Sequence, residues 1–188
     1  MVKRPTFFYY TTMQIEKYTV YEFLFLPEEK KDEMSAIYNL VAFDVDCKTW
    51  SFGDVKETQY QMKKQIDYKT MIEIVGRQIK ADIFELDAHV FFGTFNGIAK
   101  SILEITEIEN NALGHQPTGD EIIASEEVGG FDSFGYLPEL DKLAGGDILK
   151  YDAIRKQNWS DCFAKLAYES RQNRYQNKMM ELIHKKND

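Results

Sequence analysis

Residues 6–13 and 18–26 are dominated by aromatic, β-branched and threonine side chains, and both faces of each run are apolar. That composition favours strands over helices. A third segment alternates: Val41, Phe43, Val45 and Cys47 share one face, and Ala42, Asp44 and Asp46 share the other. Period two is the pattern of a half-buried antiparallel strand. Trp50 and Phe52 continue it into a short fourth strand after a turn at 47–49. Between the second and third strands, Glu28-Glu29-Lys30-Lys31-Asp32-Glu33 follows Pro27 and reads as a solvated hairpin tip or the polar start of a helix.

The period changes near Asp67. Thr70-Met71-Ile72-Glu73 has capping-box spacing, and Met71, Ile74, Val75, Ile79, Ile83, Leu86 and Val90 recur at steps of three and four. These positions predict one long amphipathic helix over 70–92. Gly93-Thr94-Phe95-Asn96-Gly97 should break it, because glycine and Asn-Gly favour left-handed backbone. A second helix is expected over 98–109. Residues 110–117 then read as loop, and 129–146 hold 5 Gly in 18 residues. Asp147 is placed to cap a helix over 148–157, and Asn158 or Ser160 to cap one carrying Trp159, Phe163, Leu166 and Ala167 on one side. After the polar run Ser170-Arg171-Gln172-Asn173-Arg174 an apolar stripe resumes as Tyr175, Met179, Leu182 and Ile183, out of phase with the first. Such a tail either turns or packs against something else.

The fold these patterns predict is α+β: an N-terminal antiparallel sheet of three or four strands packed against amphipathic helices, with a C-terminal helical tail. The organisation is a core domain over 1–128, a Gly-rich flexible connection over 129–146 and a helical segment over 147–188. A chain of 188 residues with 13 Phe and 11 Tyr carries enough apolar surface for a core of this kind. Its longest uncharged stretches, 5–15 and 88–99, are too short to span a bilayer. Cys47 and Cys162 show no ligand or disulfide spacing, which makes a reducing, cytoplasmic compartment the default.

Charge is unevenly placed. Of 23 basic and 31 acidic side chains, residues 82–147 hold 2 and 14, whereas residues 155–188 hold 8 and 4. An acidic stretch of this density steers basic partners and repels nucleic-acid backbone. The exposed contributors expected off the apolar stripes are Glu107, Glu109, Asp120, Glu121, Glu126 and Glu127. Carboxylates can stand in for phosphates against Arg and Lys, so one version is an inhibitor that occupies the basic groove of a nucleic-acid-processing enzyme, as phage- or plasmid-borne antagonists of host defence do. The tail cations Arg155, Lys156, Lys165, Arg171, Arg174, Lys178, Lys185 and Lys186 are interspersed with acids. They fit intramolecular pairing or an oligomer contact better than direct nucleic-acid binding.

Catalytic signals are sparse. His89, His115 and His184 have no metal-site spacing; Glu85 with His89 and His115 beside Asp120 and Glu121 are the nearest approaches. Asp44 and Asp46 share a strand face and, with Glu16 or Glu22 from a neighbouring strand, could hold Mg²⁺ in a hydrolase or nuclease. No P-loop, G-x-G-x-x-G or nucleophile elbow occurs, so no cofactor is expected. The sequence therefore points to a non-enzymatic interaction protein with an acidic contact surface over 82–147. The alternatives are a metal-dependent hydrolase using Asp44 and Asp46, and a structural subunit of a larger assembly.

Overall fold

The computed structural model describes residues 16–114, 123, 127–128, 130 and 134–187. Among them there is no strand and no sheet, only two isolated bridges, Thr19 with Asp87 and Ser51 with Asn158. The fold is all-helical, and the expected α+β architecture is corrected. Its elements are α1 (Val20–Leu24), α2 (Glu28–Tyr38), α3 (Phe52–Met62), α4 (Tyr68–Gln78), α5 (Ala88–Leu113), α6 (Leu137–Ala144), α7 (Tyr151–Arg155) and α8 (Trp159–Asn187).

Each expected strand fails for a local reason. The run 6–13 lies outside the described residues. In 18–26 a capping box overrides β-propensity: the Thr19 hydroxyl accepts from the Glu22 amide, and the Glu22 carboxylate accepts from the Thr19 amide at 2.9 Å. The single turn of α1 then buries Val20 and Phe23 at helical spacing. Residues 50–52 end in a similar device, with the Ser51 hydroxyl accepting from the Asp54 amide to start α3. The third segment is extended as its alternation suggests, but it has no neighbouring strand. Its backbone is satisfied by α5 instead: the Phe43 amide donates to the Gly93 carbonyl at 2.9 Å, the Asn96 amide nitrogen to the Val41 carbonyl at 2.8 Å, and the Cys47 amide to the Ser101 hydroxyl at 2.9 Å. The segment is a strap across a helix. Val41 and Phe43 remain 39% and 37% exposed, and Cys47 is fully buried.

The strap explains why the two glycines do not break α5. Four residues apart, Gly93 and Gly97 share one helix face, and a methyl on Gly97 would collide with the Phe43 carbonyl oxygen. Close approach, rather than left-handed backbone, is what requires glycine here. The actual break lies earlier, over 79–87, where Asp82 caps a short 3-10 turn at Ile83–Glu85 and the chain bridges to Thr19. Of the apolar positions predicted for one helix over 70–92, Met71, Ile74 and Val75 fall in α4 and Val90 in α5, while Ile79, Ile83 and Leu86 lie in the break, and Asp67 rather than Thr70 caps α4.

α5 is the central element and packs against α1, α2, α3, α4 and α8. At one end of the core, Phe23, Tyr38 and Phe92 meet with ring centroids 5.1–6.3 Å apart. The chain returns through α6, which Gly145 ends in a left-handed conformation (φ +66°), and Asp147 caps the next turn as its position predicts. Leu140, Trp159, Cys162 and Leu166 complete the same core as the N-terminal residues.

Candidate interaction surface

Buried polar chemistry is concentrated where α3, α5, α6 and α8 converge. The Lys56 ammonium lies 2.9 Å from both Glu109 Oε1 and Glu139 Oε2. Trp159 Nε1 donates to Glu109 Oε1 at 2.8 Å, and Gln59 Nε2 to Glu109 Oε2 at 2.9 Å. This cluster borders a pocket of about 440 Å³ that Thr106 and Tyr136 also line. Both oxygens of Glu109 are occupied by donors of the protein itself, as burial of a carboxylate demands. The cluster is a polar clamp that ties four helices together. Lys56 is not among the sequence-predicted site residues, because Trp50 and Phe52 suggest a short strand there, although the capping pair Ser51-x-x-Asp54 marks a helix start.

The structure separates the sequence-predicted contact residues. Glu107 and Glu127 are exposed, whereas Glu109 is buried in the clamp and does not meet the expectation of a surface position. Asp120, Glu121 and Glu126 lie outside the described residues. Other acids of the stretch also serve inside the chain: Asp82 and Asp147 cap turns, and Asp141 accepts from the Tyr151 hydroxyl at 2.6 Å.

The alternative metal site is not assembled. Asp44 and Asp46 are exposed, and Asp46 caps the turn at Cys47–Thr49 through the Lys48 amide. Glu16 pairs with Lys30 at 3.2 Å and Glu22 completes the α1 capping box, so neither third carboxylate is directed to the aspartates. Among the described residues no three His, Cys, Asp or Glu side chains form a group that could hold a metal ion. His89 faces Asp87 at 3.9 Å, and His115 is outside the described residues. Burial pushes the Cys47 thiol up to about 11 and also raises Cys162. Neither supplies a thiolate at neutral pH.

The feature least accounted for by the body is α8. Its first two turns bury Trp159, Cys162 and Leu166, with Trp159 stacked on Phe163 at 5.0 Å. The same face continues as Ser170, Asn173 and Asn177, which border α6, and the Arg174 guanidinium donates to the carbonyls of Ala112 and Gly114, closing the end of α5. At about 100° per residue, Tyr168, Tyr175, Met179 and Leu182 fall on the opposite side of the helix from Leu166. Tyr168 and Tyr175 are 65% and 66% exposed, and Met179, Leu182 and Ile183 are exposed as well. The phase change visible in the sequence is therefore a half-turn. The helix runs without interruption there, and its second stripe is exposed.

Among the described residues, no helix is long and apolar enough to cross a membrane. Comparison with models of known protein families, with curated proteins and with solved structures finds no match to this chain.

Proposed function

We propose that the protein is an interaction protein, a helical head bearing a docking helix, and that the outward face of α8 is its principal contact. The observation that carries this is the apolar stripe from Tyr168 to Ile183, on a side of the helix that no other described residue covers. Exposed apolar side chains are common singly, but a row of them recurring along one face of a helix is the usual form of a partner-facing surface. The tail cations support protein contact over nucleic-acid contact. Lys165 pairs with Glu169 and Lys178 with Glu181, both at 2.7 Å, while Arg174 is committed to the end of α5.

The acidic-surface reading keeps a narrower basis. Glu104 and Glu107 are exposed on successive turns of α5, with Lys48 3.9 Å from Glu104. They would meet a basic protein partner, the groove of a nucleic-acid-processing enzyme being one case. A photo-cross-linking side chain placed at Tyr175, and separately at Glu107, distinguishes the two surfaces in cells. A discrete adduct from position 175, absent from a control at exposed Asp32, is expected; an adduct only from position 107 would transfer the function to the acidic face. No adduct above the control at either position would overturn both.

A further inference from the structure

The outward stripe has the spacing of a two-stranded coil. Tyr168, Gln172, Tyr175, Met179 and Leu182 follow one another at steps of four, three, four and three, so Tyr168, Tyr175 and Leu182 occupy d positions and Gln172 and Met179 occupy a positions of successive heptads. An interrupted seam that merely lay on an irregular partner would have no reason to keep this period. The flanking rows are also unequal. Arg171 and Lys178 fall at g, and Glu169, Gln176 and Ile183 at e.

Resting on the proposal that this face is the docking surface, we infer that its occupant is a second copy of the chain, whose α8 runs parallel and in register with the first. In a parallel pair g positions face the e positions of the other helix, so Arg171 meets Gln176 and Lys178 meets Ile183, and no like charges oppose each other. An antiparallel pair would set the cations at g against one another. Parallel register places each seam residue opposite its own counterpart, as a two-fold axis along the helices requires. The two Gln172 amides then share a layer, where each can both donate and accept, and a polar a layer fixes register at some loss of stability. The heads stay clear of the a and d positions, because the face they occupy on α8, through Leu166, Ser170 and Asn173, is the opposite one; they reach the flank only at Glu169, which pairs with Lys142 of α6 at 3.7 Å.

The test uses the purified full chain. Sedimentation equilibrium should give twice the 22.0 kDa of one chain, and Met179→Glu with Leu182→Glu should return it to a single chain with unchanged helicity. Orientation is read separately from cysteines introduced one at a time as Tyr168→Cys and Leu182→Cys, since Cys47 and Cys162 are buried. On mild oxidation each variant alone should form a disulfide-linked dimer. Three results overturn the inference: a wild-type monomer at every concentration up to hundreds of micromolar, a dimer that survives the double glutamate variant, or cross-linking only when the two cysteine variants are mixed. The underlying reading fails differently. A monomeric chain whose position 175 still cross-links to another protein in cells leaves the docking face in place and removes only the second copy.

Discussion

Leu166 and Leu182 belong to one uninterrupted helix, α8, and their surroundings are opposite. The first half of α8 places Trp159, Cys162 and Leu166 in the core and delivers an indole N–H to a buried carboxylate. The second half carries as many large apolar side chains and covers none of them. The difference lies in phase rather than composition, because two stripes half a turn apart cannot both face the same body. The second face is therefore left uncovered by the described residues of the chain.

The largest effect that would break this comparison is a truncation in each half. Leu166→Ala should destabilise the chain by about 2–5 kcal/mol, as buried leucines do, whereas Leu182→Ala should stay within about 0.5 kcal/mol in dilute solution, as exposed positions do. Denaturant titration of the two variants measures both. Equal losses would mean that the outer stripe is covered by its own head.

The clamp sharpens the contrast. Glu109→Ala should cost about 3 kcal/mol, since it strands Lys56 on Glu139 alone and orphans the Trp159 indole. Glu107→Ala, two residues away and exposed, should be close to neutral by the same titration. If Glu109→Ala were neutral too, the inner half of α8 would be held by packing alone.

How much of this was legible depends on the kind of signal. Helical periodicity located the apolar face of α4 at Met71, Ile74 and Val75 and the phase change in α8, but it ran through the break at 79–87, because apolar side chains of a 3-10 turn keep nearly the same spacing. Capping chemistry placed Asp147 correctly. Propensity misled at 18–26 and 41–47: aromatic and β-branched residues fit any half-buried surface, and a strap lying on a glycine-lined helix alternates just as a strand does. Gly93 and Gly97 were ambiguous for the same reason, since a turn and a close approach both demand glycine and only the position of Phe43 decides between them. Glu109 looked like a surface acid because its partners Lys56, Gln59 and Trp159 are about 50 residues away in sequence.

A smaller test asks whether a covered face tolerates a single methyl. Gly97→Ala should cost about 1–3 kcal/mol, the range for overpacking, because the strap must lift from α5; Gly76→Ala in α4, where an added methyl meets nothing within 4 Å, should be neutral or stabilising by thermal melting. The smallest effect belongs to the point where the two halves of α8 meet. Arg174→Ala should lower stability by at most about 1 kcal/mol, the worth of its bonds to the end of α5, and should leave any association through Tyr175 unchanged in sedimentation.

Hydrogen exchange along α8 as a function of protein concentration tests the central claim most directly. Amides of the inner half, 162–166, are expected to be protected to the same degree at every concentration, because the head alone covers them. Amides of 175–184 are expected to exchange rapidly in dilute solution and to become protected as concentration rises and the outer stripe is covered. Exchange over 175–184 that is the same at all concentrations, whether fast or slow, would contradict the assignment of that face to a second copy.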